Sequence, residues 1–91
     1  MDLDDKRKQI DEIDEQLAIF FEKRMELVAD ICKIKQGMGR PVTDSTRERD
    51  MFIKNVKHIK NKEMQPHYEN FLKSCLQISK DYQQQIIIKK F

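Results

Sequence analysis

The chain has 91 residues, of which 38% are hydrophobic and 37% are charged, with two glycines, two prolines and no tryptophan. This length predicts one domain over residues 1–91, and so few turn-forming residues argue against a sandwich or barrel of many short strands. The formal net charge of +2 is too small to indicate a nucleic-acid-binding protein.

Residues 4–36 contain neither glycine nor proline and predict one long helix, which Gly37, Gly39 and Pro41 should end. Its apolar residues follow steps of three and four, the spacing of one packed helix face: Ile10, Ile13, Leu17, Phe20, Leu27, Ile31 and Ile34. Such a helix is a rod of roughly 50 Å, whereas a compact chain of this size has a diameter of about 32 Å. One chain therefore cannot cover the whole face, and we expect an all-α, intertwined homodimer of three-helix chains.

Two shorter helices complete the predicted fold. Ser45 and Glu48 have the spacing of a capping box, which predicts a second helix over residues 45–61 with Ser45 as its N-cap. Pro66 suits the first turn of a third helix over residues 65–90. The inner face of that helix should carry Tyr68, Leu72, Cys75 or Leu76, Ser79, Tyr82 and Ile86.

Polar side chains interrupt the apolar faces at a few positions. Arg24 occupies a place in the three-four pattern of the first helix, and Lys35 lies three turns later on the same side, about 16 Å away. The two cations together suit one small anion. Alternatively, Arg24 pairs with a carboxylate of another helix or extends outward to solvent, and Lys35 is solvated at the helix end. Ser79 and Gln83 form a second polar pair one turn apart, which also fits a hydrogen bond between helices.

Metal, membrane and nucleic-acid functions receive little support. Cys32 and Cys75, with His58 and His67, match no zinc-binding spacing, so we expect reduced thiols in the cytoplasm and no metal site. The acidic start is not that of a signal peptide, and the longest apolar run, residues 17–21, is far too short to cross a membrane.

The basic residues of the second helix and the following turn lack interleaved aromatic residues and are typical of a solvated face: Lys54, Lys57, Lys60 and Lys62. The sequence also contains no phosphate-binding glycine loop and no nucleophile or metal motif. Any chemistry would therefore depend on positioned charges and hydrogen bonds.

Several segments together resemble a known family over nearly the whole chain. They are Arg7, IDEIDEQL at residues 10–17, RMEL at 24–27, KIK at 33–35, RPVTDSTRER at 40–49, and an S-x-x-x-Q pattern at Ser79–Gln83. In combination they resemble the all-helical class of chorismate mutases. The resemblance implies an intertwined dimer with shared active sites that rearranges chorismate to prephenate, a step of aromatic amino acid biosynthesis, without cofactor or metal.

The resemblance also implies roles at the two ends of the substrate and at the reacting bond. Arg24 would hold one carboxylate with the help of Ser79, and the partner subunit's Arg7 would hold the other. Lys35 and Gln83 would donate hydrogen bonds to the ether oxygen of the breaking bond. Such a rearrangement needs orientation and charge stabilisation but no nucleophile, acid or base.

Three further residues are assigned to the ring hydroxyl region by the same resemblance. Glu48 and Asp44 would meet the hydroxyl, and Arg47 would line the site and organise the two carboxylates. Because Gln84 follows Gln83, a third-helix pair shifted to Lys80 and Gln84 stays open.

Three other functions remain as alternatives: an isochorismate pyruvate-lyase with the same binding site, a non-catalytic regulatory domain of the same fold, and a helical interaction module. The complete polar set argues against the last two. The sequence separates neither mutase from lyase nor a free-standing enzyme from one domain of a bifunctional protein.

Overall fold

A computed structural model of the chain describes residues 2–89 and contains three helices within them. They are α1 (Leu3–Gly37), α2 (Ser45–Val56) and α3 (Gln65–Lys89), and no strand occurs in the described part. The all-helical, three-helix prediction is confirmed. No helix among these residues has a stretch both long and apolar enough to cross a membrane.

The end of α1 depends on a glycine with a left-handed backbone. Gly39 has φ +67°, its N–H donates to the carbonyl of Gln36 at 3.1 Å, and the N–H of Arg40 donates to the carbonyl of Lys35 at 2.9 Å. These two bonds satisfy carbonyls that the helix leaves without partners. The chain therefore turns sharply into the loop over residues 38–44, which leads to α2.

The start of α2 differs from the prediction. Asp44, rather than Ser45, is the N-cap, because its Oδ1 accepts the backbone N–H of Arg47 at 3.0 Å. Ser45 is the first helical residue, so Glu48 lies one position too late for a capping box. An aspartate cap satisfies the same orphan N–H and also places negative charge at the positive end of the helix dipole.

The predicted end of α2 at residue 61 is also wrong, since the helix stops at Val56. The N–H of Ile59 donates to the carbonyl of Val56 at 3.2 Å, which tightens the chain into a turn. The carbonyl of Ile59 accepts a hydrogen bond from the side chain of Gln65 at 2.9 Å. This hydrogen bond ties the turn to the start of α3. The predicted end of α3 at residue 90 lies outside the described residues.

The interior of the single chain is small. Among residues 2–89 the buried apolar side chains are Ala29, Cys32 and Leu72, where the C-terminal half of α1 packs on α3. α2 packs on α3 as well, and the whole molecule measures 55 × 26 × 15 Å. Every described residue from 2 to 23 is exposed. The C-terminal half of α1 thus carries the tertiary contacts, and its N-terminal half projects beyond them.

Candidate active site

A cavity of about 290 Å³ lies among the three helices and the loop before α2. Its apolar wall includes Leu27 and Ile31 of α1, Met51 of α2 and Leu76 of α3. Seven of the eight predicted site residues also line it: Arg24, Lys35, Asp44, Arg47, Glu48, Ser79 and Gln83. The fold therefore brings side chains from opposite ends of the sequence to one concave surface.

Arg24 is held by α3 and not by a carboxylate. Its Nη1 donates to Ser79 Oγ at 2.5 Å, and this hydroxyl donates to the carbonyl of Cys75 at 2.9 Å. Ser79 is only 7% exposed and Arg24 is half-buried. Within residues 2–89 the guanidinium forms no ion pair, so the alternative of a carboxylate partner is wrong for the single chain. A guanidinium has five N–H donors, and those not used by Ser79 are available to an anion.

Lys35 is likewise not a solvated residue at a helix end. It is half-buried, and its Nζ donates to the carbonyl of Val42 in the loop at 3.3 Å. An ammonium has three donors, so this contact fixes the side chain while leaving donors for a ligand. Arg24 and Lys35 thus present two cationic groups to the same cavity, as their helical spacing predicts.

The part of α3 that lines the cavity includes the predicted pair Ser79 and Gln83. Gln83 is half-buried and lines the cavity, whereas Gln84 is exposed and does not. The carbonyl of Gln83 lies 3.9 Å from the thiol of the fully buried Cys32, which donates to it. Ser79 and Gln83 therefore both line the cavity. Lys80 of the shifted pair lines it too, whereas Gln84 does not.

Lys80, which the sequence offers only as the shifted alternative to Ser79, also lines the cavity. Its Nζ forms an ion pair with Glu48 Oε2 at 3.1 Å, joining α3 to α2. The signal in the sequence was its spacing, because Lys80 follows Leu76 by four residues and precedes Gln83 by three. Glu48 is thus held by an ion pair and not by capping.

Asp44 and Arg47 are exposed residues of the lining. The hydrogen bond between these two residues uses the backbone N–H of Arg47, which donates to Asp44 Oδ1 at 3.0 Å, and not the guanidinium. One Asp44 oxygen is therefore engaged by the helix cap, while the Arg47 side chain remains available to the cavity.

Arg7 is the predicted site residue that the single chain leaves out. It is exposed and does not line the cavity. Along α1 it lies about 25 Å from Arg24.

The charges of the cavity favour an anion. Four cationic and two anionic side chains line it, a net charge of +2. In the described part of the chain no three histidine, cysteine, aspartate or glutamate side chains lie close enough together to hold a metal ion. The volume is at the low end of the range for small-molecule sites. A compact dianion matches both the volume and the charge.

Comparison with known proteins identifies the family. Residues 6–84 match the model of the family described as chorismate mutase type II. The chain belongs to this family. The match to chorismate mutase type II includes every predicted site residue, from Arg7 to Gln83.

A relative described as a chorismate mutase, from Methanocaldococcus jannaschii, is 37% identical over 46 residues, which are 50% of this chain and 46% of the relative. The matched segment spans about half the length of that relative. No solved structure matches the chain.

Proposed function

We propose that this chorismate mutase type II chain rearranges chorismate to prephenate. The observation that carries the proposal is the convergence of Arg24 and Lys35, both half-buried, on one cavity with Ser79 and Gln83. Chorismate is a dianion of small size, and the cavity has a net charge of +2. The cavity of one chain can therefore bind one carboxylate and the ether region of such a molecule.

The rearrangement breaks the ether C–O bond and forms a C–C bond within the same molecule. No proton passes to or from the protein, so the site has to orient the substrate and stabilise charge. The ether oxygen gains negative charge as its bond lengthens. Lys35 Nζ and the Gln83 amide are the donors assigned to that oxygen, and both side chains are half-buried, which strengthens such bonds.

Arg24 binds a substrate carboxylate, and Ser79 determines how it does so. The Ser79 hydroxyl is fixed by the Cys75 carbonyl and occupies one Arg24 N–H. The guanidinium is thereby oriented before substrate arrives, which lowers the entropic cost of binding. Glu48 and Asp44 meet the ring hydroxyl, and Arg47 lines the site and organises these two carboxylates.

The functional unit is a homodimer in this proposal. The apolar residues of the N-terminal half of α1 are between 49% and 66% exposed in one chain: Leu3, Ile10, Ile13, Leu17 and Phe20. The few buried apolar side chains of the described residues are too small a core for an independent chain of this size. A second copy laid against α1 covers this face.

The same dimer completes the site. A substrate in the cavity is too small to reach Arg7 of its own chain, which lies about 25 Å along α1 from Arg24. An antiparallel partner helix brings the partner subunit's Arg7 to the second carboxylate. Each dimer then has two shared sites.

A cytoplasmic location belongs to the same proposal. Cys32 and Cys75 are both free thiols, the state that a reducing compartment maintains.

The deciding experiment follows chorismate consumption by ultraviolet absorbance and identifies the product by NMR. Prephenate as the sole product supports the proposal. Isochorismate is tested in parallel with an enzyme-coupled assay for pyruvate. A chain that releases pyruvate from isochorismate but forms no prephenate from chorismate would be a lyase. Inactivity with both compounds, in a folded dimer, would indicate a non-catalytic domain.

A further inference from the structure

Lys80 and Glu48 form an ion pair in the wall of the candidate cavity. The distance between Lys80 Nζ and Glu48 Oε2 is 3.1 Å, and the two side chains are 39% and 25% exposed. Both residues line the cavity, and Lys80 directly follows Ser79, which binds Arg24. Partial shielding from water makes such a pair stronger than one on an open surface. The pair therefore belongs to the site and not to the outer face of the helices.

Glu48 needs such a partner if it meets a ring hydroxyl. A glutamate side chain has three rotatable bonds, so a carboxylate that must accept a hydrogen bond from one hydroxyl has to be held in place. The contact with Lys80 engages Oε2 and leaves Oε1 to accept from the hydroxyl.

The negative charge of Glu48 is a second reason why this residue requires a cationic partner such as Lys80. A carboxylate repels a dianionic substrate, and the adjacent ammonium offsets this repulsion. Without Lys80 the net charge of the lining falls from +2 to +1.

We propose that Lys80 is a positioning residue that acts through Glu48. It holds the Glu48 carboxylate toward the α3 wall and compensates its charge, and so tunes recognition of the substrate's ring hydroxyl. This inference rests on the proposed function. Two other roles make different predictions: Lys80 binds the substrate directly, or it only joins α2 to α3.

A double-mutant cycle separates these roles. Lys80→Met, Glu48→Gln and the double variant are compared with the parental chain for kcat and KM with chorismate and, independently of turnover, for calorimetric binding of prephenate. Lys80→Met should lower kcat/KM about tenfold in the parental chain, as expected for a partly exposed, charged hydrogen bond. In the Glu48→Gln background it should change kcat/KM by less than about twofold, because the group it acts through is gone.

Two further variants complete the design. Lys80→Arg keeps the charge and should restore most of the activity. Lys73→Met removes an exposed lysine from the same helix, outside the cavity, and should leave both kinetic constants unchanged.

Each contrary result is distinct. An equal loss in both backgrounds would show that Lys80 contacts the substrate itself and would overturn the inference. A lower melting temperature with unchanged kcat/KM and prephenate affinity would reduce Lys80 to a helix-joining residue and would overturn it too. A parental chain that neither consumes chorismate nor binds prephenate overturns the proposed function, and that failure is recognised before any variant is made.

Discussion

The hydroxyl of Ser79 links Arg24 of α1 to the backbone of α3, accepting from the guanidinium and donating to the carbonyl of Cys75. A cation on the apolar face of a helix is costly unless its donors are used. Here one donor is satisfied within the chain and the others face the cavity. Ser79 thus orients Arg24 in the cavity wall, where we propose that it binds an anion.

Ser79→Ala tests this dependence. Loss of one hydrogen bond to a charged group should lower kcat/KM by about 10- to 100-fold, equivalent to roughly 1.5–3 kcal/mol. The melting temperature should change little, because the Cys75 carbonyl keeps its helical hydrogen bond. Steady-state kinetics and thermal melting monitored by circular dichroism give the two readouts. Ser74→Ala, at an exposed position of the same helix, is the matched control. Equal kinetics for both variants would mean that Ser79 does not orient Arg24.

Lys35→Ala should lose well over a hundredfold in kcat/KM. Removal of one donor aimed at developing charge typically costs about 3–4 kcal/mol. The fold should survive, since the variant deletes a half-buried cation whose contact in the chain is a single loop carbonyl. Lys33→Ala removes an exposed lysine two residues before Lys35 and is the matched control. This variant should be nearly as active as the parental chain. An active Lys35→Ala chain would remove Lys35 from the chemistry.

The sequence predicted the parts of the fold that local patterns control. The three-four spacing and the absence of glycine and proline predicted α1 to within one residue at each end. Gly39 has the left-handed backbone conformation, φ +67°, that glycine adopts readily and that the turn after α1 uses. The family motifs placed seven residues on one cavity.

Contacts that the periodic residue pattern does not encode account for what was missed. Asp44 and Ser45 are both good N-caps, and the choice between them depends on the path of the loop. Ile59 continues the apolar pattern of α2, yet its carbonyl is bound by Gln65 from beyond the turn. The role of Lys80 depends on Glu48 across the cavity, which no local pattern encodes.

Gln83→Glu should convert a rate with little dependence on pH into one that rises as the pH falls. The amide of Gln83 donates at every pH, whereas a glutamate donates only when it is protonated. The pH profile of kcat/KM between mildly acidic and neutral pH is the measurement. Gln84→Glu, at an exposed position outside the cavity, should keep the parental profile. The reverse pattern would show that Gln84 is the donor.

Folding should depend on chain concentration. If the exposed face of α1 is covered by a second copy, dissociation and unfolding are coupled, and the melting temperature rises with concentration. Phe20→Asn should weaken the dimer strongly. Ile19→Asn should not, although the two side chains are similarly exposed in one chain, at 66% and 61%, because Ile19 lies off the three-four face. Sedimentation equilibrium gives the mass. A compact, helical monomer of 11.0 kDa at micromolar concentration contradicts the dimer.

Subunit mixing tests whether Arg7 acts in the partner's site. Arg7→Ala and Arg24→Ala should each be nearly inactive as homodimers. On one straight helix Arg7 lies about 25 Å from Arg24 and about 42 Å from Lys35, spans that no small dianion bridges. If Arg7 acts across the dimer, a heterodimer of the two variants has one site with both lesions and one intact site, so it should regain about half of the parental activity. If Arg7 acts within its own chain, each site keeps one lesion and the heterodimer stays inactive.

The two variants are refolded together, and the heterodimer is isolated through a tag on one chain before assay. A verified heterodimer without recovered activity rules out the shared site. A heterodimer of Lys73→Met with Arg24→Ala has one site with both arginines intact, whether Arg7 acts within its chain or across the dimer, and it therefore calibrates the activity of a single working site.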